Sequence, residues 1–248
     1  MKVNTLKKKT LFAAVTNDIS TDYRVHKICN YLTKKNFDIS VYGRVLSTTF
    51  FVERNYNIIR KRHFFNHHFL FYAEYNIRLF CYLLFKRYDY ILANDLDTLP
   101  ACFLISRLKK INLVYDSHEL FTEVPELEGK WFVKRFWKTI EGLMLPKLQS
   151  AYTVSGSIAD YYHQRYGIKM GVVRNVPLLK EKGNSKAIKF PTKNKVILYQ
   201  GVLNPGRGIH EVIKALHFLQ DVDLVIIGYG KVENELKSFV SKEQLEDR

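Results

Sequence analysis

Short apolar runs alternate with helical patterns along almost the whole chain, and this alternation restricts the possible fold more than any other feature. Runs such as Leu11–Thr16 and Tyr90–Ala93 have the length and composition of buried strands. Between such runs lie segments with the helical period, such as Asp22–Lys35, in which apolar residues recur on one face. Repetition of strand and helix favours an α/β fold, with a doubly wound parallel sheet covered by helices on both faces.

The same alternation divides the chain into two expected domains. Residues 1–177 carry a complete set of strands and helices, whereas residues 178–195 are rich in Lys, Gly, Asn and Ser without a period, which indicates a linker. The rhythm restarts over 196–248, but two strands and two helices are too few to close a second doubly wound domain. The expected strands are Leu11–Thr16, Phe37–Tyr42 (ended by Gly43), Tyr56–Arg60, Tyr90–Ala93, Ile111–Tyr115, Ala151–Val154, Met170–Arg174, Val196–Tyr199 and Asp223–Ile227. The expected helices are Asp22–Lys35, Phe71–Lys86, Thr98–Leu108, Val133–Leu148, Ile158–Tyr166, Ile209–Leu219 and one from about Val232.

The amino-acid composition restricts the kinds of binding partner and the cellular location that are expected. The chain has 39 Lys and Arg against 24 Asp and Glu, an excess that favours anionic partners such as nucleotide phosphates, lipid headgroups or nucleic acid. No motif that reads nucleic acid is present, so we expect no nucleic-acid partner. No apolar run reaches about 18 residues, and Leu11–Val15 is too short for a signal peptide. Cys29, Cys81 and Cys102 lack metal-ligand spacing and indicate reduced thiols, a cytoplasmic location and no metal.

A glycine-rich turn joins an expected strand to an expected helix in the second domain. The segment Tyr199–His210 contains Gly201 and Gly208, and free N–H groups at a helix start attract anions. Arg207 adds a forked cation that suits phosphate. Glycine turns also simply end strands, so the pattern alone leaves both interpretations open. After the last expected strand, Gly228-Tyr-Gly230 is a second tight turn where a ligand could approach the backbone.

Polar residues follow the strands of the first domain, at the strand ends where open parallel sheets bind ligands. These segments are Thr16–Arg24, Asn94–Asp97 and Asp116–Glu119. His118 with its flanking carboxylates could orient a hydroxyl or transfer a proton. The alternatives are structural: a hydrogen-bonded surface turn at 116–119, capping of one helix by Ser20, Thr21 or Asp22, and capping of another by Asp95 or Asp97.

Taken together, these segments resemble the family 4-type glycosyltransferases. The resemblance rests on Asn17-Asp18, Asp22-Tyr-Arg-Val-His-Lys27, Tyr115-Asp-Ser-His-Glu-Leu-Phe121, Gly201 to Gly208 and Ile227-Gly-Tyr-Gly230. It implies the GT-B fold, in which two Rossmann-like domains face each other across a cleft, here with only the start of the C-terminal donor domain. It also implies transfer of a hexosyl group from a nucleotide-sugar to a glycan or lipid-linked acceptor in cell-envelope polysaccharide biosynthesis, with retention and without metal or other cofactor.

The resemblance assigns roles to individual residues of this chain. His118 and Asp18 stand near the reaction centre and are the candidate catalytic residues. Arg207 stands where the family holds the donor diphosphate, and the other candidate donor-binding residues are Gly201, Gly208, Gly228 and Gly230. The candidate acceptor-binding residues are Asn17, Arg24, Asp95, Asp116 and Glu119. The physical logic agrees, because cleavage of a sugar–phosphate bond leaves negative charge that fixed cations and helix starts stabilise.

The sequence departs from the family pattern in two places. Val202 stands where the family often has an Arg, so one of two expected cations is absent. The family's later acidic motif, two Glu that contact the sugar and the ribose, would lie beyond Arg248. We therefore expect a truncated product with little or no transfer activity of its own.

Several other interpretations stay open. The first is a nucleotide-sugar epimerase of GT-B fold, and the second is a non-catalytic acceptor-binding module that needs a partner chain. A nucleic-acid binder is the weakest. The basic and aromatic segment Arg60–Arg87 suits the surface of an anionic membrane, although we favour a core helix with solvated basic edges.

Overall fold

A computed structural model describes residues 8–46, 49–177 and 190–248 of the chain. Its contacts separate two compact units, Met1–Pro177 and Leu178–Arg248. Most of the predicted linker falls outside the described residues, so that boundary stays a prediction.

The first unit is a parallel sheet between helices, which confirms the predicted α/β class. Its seven strands lie in the order β3-β2-β1-β4-β5-β6-β7, and every neighbouring pair is parallel. The strands are β1 (Lys9–Asp18), β2 (Phe37–Arg44), β3 (Asn57–Lys61), β4 (Tyr90–Asn94), β5 (Asn112–Ser117), β6 (Ser150–Thr153) and β7 (Gly171–Val172). The helices are α1 (Tyr23–Lys34), α2 (His68–Leu84), α3 (Leu99–Lys109), α4 (Trp131–Met144) and α5 (Gly156–Tyr166).

Strand β1 is buried on both faces because alternate side chains point to opposite sides of the sheet. Phe12 and Ala14 belong to the larger core cluster, whose members include residues of α2, α3, α4 and α5. Leu11, Ala13 and Val15 belong to the other cluster, together with residues of α1. Two buried layers around one sheet fix the positions of the strand ends, where the polar segments begin.

Some predicted boundaries are wrong for identifiable reasons. Strand β2 does not end at Gly43 but continues to Arg44. A Cβ at Gly43 would lie 2.6 Å from Cγ1 of Ile19, so glycine is needed there for the close approach of the loop after β1. Helix α4 begins at Trp131 and ends at Met144, because Pro146 lies in a following 3₁₀ turn, Leu145–Lys147. The strand expected at 170–174 is reduced to Gly171–Val172.

The second unit is smaller and more open. It has a two-stranded parallel sheet of β8 (Lys195–Gln200) and β9 (Val222–Ile227), with helices α6 (Ile209–Ala215) and α7 (Glu233–Lys242). Helix α6 is shorter than the predicted Ile209–Leu219, because residues 216–218 form a 3₁₀ turn. No helix in the described parts of the chain is both long and apolar enough to cross a bilayer.

Candidate functional site

The order of the strands reverses beside β1, where β2 lies on one side and β4 on the other. In doubly wound sheets the crevice at such a reversal is where ligands bind, outside the carboxyl ends of the strands. Asn17 and Asp18 are the last two residues of β1, the turn after β4 carries Asp95 and Asp97, and His118 directly follows β5. The fold therefore brings these sequence-predicted residues to one edge.

His118 and Asp95 form the central pair of this edge. Nδ1 of His118 lies 2.8 Å from Oδ1 of Asp95, and the His118 backbone N–H donates to the same oxygen at 3.3 Å. Burial lowers the pKa of His118, but the hydrogen bond and charge of Asp95 outweigh burial, so this pKa lies above its ordinary value. The pair favours an imidazolium, a cation held beside the crevice.

Asp95 adopts a backbone conformation that is costly for a residue with a side chain. Its φ is +61°, in the left-handed region, and its backbone N–H donates to the carbonyl oxygen of Asp116 at 2.8 Å. Such strain persists only where surrounding contacts impose it, and it concentrates at functional sites. Here it directs the carboxylate towards His118.

Asp97 is a buried carboxyl group with an incomplete set of partners. The Thr16 hydroxyl donates to Oδ2 of Asp97 at 2.6 Å, while Oδ1 has no hydrogen-bond partner among the described residues. Burial, and then the charge of Asp95, raise the pKa of Asp97 to about 7. A carboxyl group beside the predicted site is therefore part protonated at neutral pH.

Asp18, predicted to be catalytic, is almost fully buried and is held from two sides. Its Oδ1 accepts from the Ser20 backbone N–H at 2.9 Å, and its Oδ2 accepts from the Thr49 hydroxyl. Burial raises the pKa of Asp18, but these hydrogen bonds outweigh it and the pKa lies below its ordinary value. Through Ser20 the carboxylate orders the turn after β1, while Asn17, the residue before Asp18 on the strand, is exposed. Thr49 was missed because it follows β2 in a segment without a recognisable pattern.

Arg24 and Asp116, both predicted to bind acceptor, bind each other. The guanidinium donates two parallel hydrogen bonds to the fully buried Asp116 carboxylate, at 3.0 and 2.9 Å, and the Tyr152 hydroxyl donates to it at 2.8 Å. Burial raises the pKa of Asp116, and Arg24 opposes that rise. This pair fixes α1 to the end of β5, while Glu119 is exposed in the same strand-end segment. Sequence reasoning missed Tyr152, which looks like an ordinary strand aromatic.

The two helix-capping alternatives can also be decided. Asp22 is the N-cap of α1, because its side chain accepts from the Val25 N–H at 3.0 Å. Capping of α3 by Asp95 or Asp97 is wrong: Thr98 is the N-cap residue, and no side chain caps that helix.

In the second unit, two glycine-rich turns pack backbone to backbone. A Cβ at Gly228 would lie 1.9 Å from the Gly201 carbonyl oxygen, and one at Gly230 would lie 2.2 Å from the Leu203 carbonyl oxygen. The N–H groups of Gly201 and Leu203 donate to the carbonyl oxygens of Ile227 and Tyr229, each at 3.0 Å. Gly228 and Gly230 thus have a packing reason to be glycine, whatever the turn binds.

Arg207 lies between two glycines in the left-handed conformation, Gly206 with φ +77° and Gly208 with φ +70°. Its side chain is exposed and forms no ion pair with any described residue. The turn therefore presents a cation without a protein partner. Among the described residues, no group of three or more His, Cys, Asp and Glu could hold a metal ion.

Solved structures with the same architecture show the class of fold. Sucrose-phosphate synthase from Thermosynechococcus elongatus is similar with a TM-score of 0.72 and 14% identity, over 97% of this chain and 69% of that chain. A lipopolysaccharide outer core galactosyltransferase is similar with a TM-score of 0.61 and 14% identity, over 97% and 66%. UDP-GlcNAc 2-epimerase from Methanocaldococcus jannaschii is similar with a TM-score of 0.53 and 14% identity, over 97% and 69%. The chain has the GT-B fold, and it spans about two thirds of these relatives.

Family profiles match nearly the whole chain. Glycosyltransferase Family 4 matches residues 22–177, and glycosyl transferases group 1 matches residues 180–248. No curated protein sequence matches the chain. The chain belongs to Glycosyltransferase Family 4, as the strand-end motifs predicted.

Proposed function

We propose that this glycosyltransferase moves a hexosyl group from a nucleotide-sugar to a glycan or lipid-linked acceptor, with retention and without a metal or other cofactor. The observation that carries the proposal is the His118–Asp95 pair at the reversal of the sheet, in a chain that belongs to a glycosyltransferase family. The donor is assigned to the second unit, where Arg207 is an unpaired cation in a glycine turn.

The proposed chemistry is mainly electrostatic. When the sugar–phosphate bond breaks, negative charge develops on the leaving diphosphate, and fixed cations lower the energy of that state. Arg207 suits this role because a guanidinium can donate two parallel hydrogen bonds to a phosphate. His118 is assigned to the transferred sugar, where the hydrogen bond and charge of Asp95 raise its pKa and so favour the protonated ring.

A lipid-linked acceptor and a cytoplasmic position at the periphery of a membrane are the finer parts of the proposal. Their support is an apolar surface at the starts of α2 and α4, where Phe69, Trp131 and Phe132 are exposed. The rings of Phe69 and Phe136 lie 5.6 Å apart, so the two helices share this surface. A cavity of about 570 Å³ beside it is also lined by Glu119, which belongs to the strand-end segment. Aromatic side chains next to lysines and arginines suit the interface of an anionic bilayer.

Two other functions remain as outcomes of the test. An epimerase would convert its nucleotide-sugar without any acceptor, and a non-catalytic module would bind acceptor without turnover. The similarity to UDP-GlcNAc 2-epimerase shows a shared fold and favours neither of these two functions.

The decisive experiment follows both donor binding and acceptor-dependent product. We expect nucleoside diphosphate to bind about ten-fold or more weakly to Arg207→Ala, which loses a charge-assisted contact, and less so to Arg207→Lys. His118→Ala should lower sugar transfer while leaving nucleotide affinity unchanged, and His163→Ala, an exposed histidine on α5, is its matched control. Sugar conversion without acceptor would favour the epimerase. Equal nucleotide affinity in Arg207→Ala and the wild type would overturn the donor assignment.

A further inference from the structure

A second cluster of cations surrounds a cavity that the proposed function does not use. The cavity has a volume of about 540 Å³ and lies between the end of β2 and the segment that joins β3 to α2. Its polar lining consists of Arg44, Arg62, His63, Asn66 and His67. None of the described lining residues is a carboxylate, so the cavity wall carries only positive or neutral groups.

The strand register places this cavity at the same edge as the predicted site. Arg44 is opposite Lys61 on β3 and opposite Asp18 on β1. All three strands are parallel, so their carboxyl ends meet where ligands of doubly wound sheets bind. The cavity therefore lies at the carboxyl ends of β2 and β3, on the same edge of the sheet as Asp18 at the end of β1.

Two of the basic side chains around the cavity are held in fixed positions by aromatic side chains. The Arg44 guanidinium lies 4.5 Å from the centre of the Phe71 ring and donates to the Asn66 carbonyl oxygen at 3.3 Å. The His63 ring stacks on Tyr75, with ring centres 5.4 Å apart. Rings hold these groups without satisfying their remaining hydrogen-bond donors.

Several side-chain nitrogens in this region are buried without a hydrogen-bond partner. Nε of Arg44 and both ring nitrogens of His63 have no hydrogen-bond partner among the described residues. The same is true of Nε and Nη2 of Arg60, the neighbouring β3 residue whose charge acts on Asp18. Buried donors without partners are rare and costly in folded proteins, and a bound ligand is one explanation for them. For the arginine nitrogens the missing partner must be an acceptor, and an anionic acceptor matches their charge.

We propose that this cavity binds a phosphate ester or diphosphate, and that the acceptor of the transfer reaction is therefore an anionic, phosphorylated molecule. Phosphate oxygens accept several hydrogen bonds at once, which matches the forked donors of Arg44 and Arg62. The identification of the phosphate as part of the acceptor rests on the proposed transfer reaction, but the binding of the anion does not. The phosphate could also belong to a lipid headgroup, and the experiment separates these sources.

The experiment measures binding of inorganic pyrophosphate to the full chain by calorimetry, in an Arg207→Ala background that removes the cation assigned to the donor. We expect Arg62→Gln to weaken binding about ten-fold and Arg44→Gln at least as much, because each removes charge-assisted hydrogen bonds. The matched control is Arg87→Gln, an exposed arginine beyond the end of α2, which changes the net charge equally and should leave pyrophosphate affinity unchanged. Since Arg62 is exposed, its replacement does not disturb the core.

A second readout does not depend on the variants. Burial lowers the pKa of His63, the charge of Glu74 raises it, and Arg78 and Arg44 lower it. A bound diphosphate adds negative charge beside the ring, so the His63 resonances should titrate at higher pH when pyrophosphate is present. Arg87→Gln should preserve this shift, and Arg44→Gln should reduce it.

The outcomes test the anion-binding cavity separately from the proposed sugar transfer. Equal affinity in Arg62→Gln, Arg44→Gln and the parent chain, or an equal loss in Arg87→Gln, would overturn the pocket and leave sugar transfer untouched. Binding of a short-chain prenyl diphosphate, lost in the pocket variants, supports an acceptor phosphate. Binding only to vesicles of phosphatidylglycerol, lost in the same variants, supports the anion pocket with a lipid headgroup as its source and removes the acceptor assignment.

Discussion

The two units differ in how completely they bury their strands. Phe12 on β1 and Ile91 on β4 are fully buried in the first unit, whereas Leu198 on β8 is 49% exposed and Ile227 on β9 is 47% exposed in the second. The site residues follow the same difference. In the first unit Asp18, Asp116 and His118 are each fixed by other side chains or backbone groups. In the second unit the candidate cation is positioned only by the conformations of its neighbouring glycines.

This comparison shows two ways to place a functional group. A buried sheet edge can hold charged side chains in mutual contacts, because the strands around them cannot move. A turn without such support depends on its backbone geometry, and therefore on positions that favour glycine because φ is positive there. The predictions that follow test this difference, from the largest expected effect to the smallest.

The largest effect is expected from a single methyl group in the second unit. In Gly228→Ala the Cβ would lie 1.9 Å from a backbone carbonyl oxygen, which cannot move without breaking the contact between the two turns. We expect the second unit to lose its cooperative unfolding transition. Gly142→Ala in helix α4 of the first unit is the control, since its Cβ would meet only a Tyr166 carbon at 4.0 Å.

Gly142→Ala should instead stabilise the first unit by about 0.5–1 kcal/mol, because alanine favours a helix over glycine. Thermal unfolding followed by circular dichroism, together with tryptophan fluorescence from the first unit, measures both variants. A cooperative second unit in Gly228→Ala would show that the turns can separate without loss of structure, and that the second unit does not depend on these glycines.

The second effect concerns the buried carboxyl group of the first unit. The pKa of Asp97 is about 7 in the folded chain and 3.8 when exposed. Between these values the unfolded chain loses this proton and the folded chain keeps it, so stability falls as pH rises from about 4 to 7. The lost stability is about 2–4 kcal/mol. Asp97→Asn should remove this fall, and Asp160→Asn, at an exposed position on α5, should not.

Denaturant unfolding at several pH values measures this difference. The comparison is between the slopes of stability against pH in the two variants and the wild type, so other titrating groups cancel. If Asp97→Asn and the wild type lose equal stability between pH 4 and 7, the carboxyl group is ionised in the folded chain and the site contains one more negative charge than proposed.

The third effect is a difference in local opening. Amide hydrogens of β8 and β9 should exchange about ten-fold or more faster than those of β1 and β4, because strands with exposed side chains open without unfolding a large core. Hydrogen exchange resolved by peptide measures this directly. Equal protection in both pairs of strands would mean that exposure of the strand side chains does not set their stability, or that an association covers them.

The smallest effect compares exposed aromatic residues of the two units. If the surface shared by α2 and α4 lies on anionic lipid, Phe132→Ser should lower binding to phosphatidylglycerol vesicles about five-fold. Phe218→Ser changes an equally exposed aromatic residue of the second unit and should have no effect. Vesicle flotation measures binding, and Trp131, which is exposed while Trp137 is buried, should shift its fluorescence to the blue. An equal loss in both variants would point to general hydrophobic adsorption.

Much of the fold could be predicted because the apolar periods of strands and of helices are local properties of the sequence. Alternation along β1 and the helical stripe of α1 depend on residues a few positions apart, and both elements are where the pattern predicted them. The edge at which Asp18, Asp95 and His118 meet followed from the rule that parallel strands end together. Gly43 was misinterpreted because its reason for being glycine is Ile19, a contact that the pattern of β2 does not contain.

The sequence by itself determined the α/β class, the polar segments at the strand ends and the glycine turns, since each depends on residue type and local spacing. Only the tertiary structure decided which charged groups pair with each other and which stay available to a ligand. It paired Arg24 with Asp116, turned Asp95 towards His118, left Asp97 part protonated and placed two arginines and two histidines around one cavity. These outcomes depend on burial and on partners many residues away, because the energy of a charge is set by its surroundings and not by its neighbours in the chain.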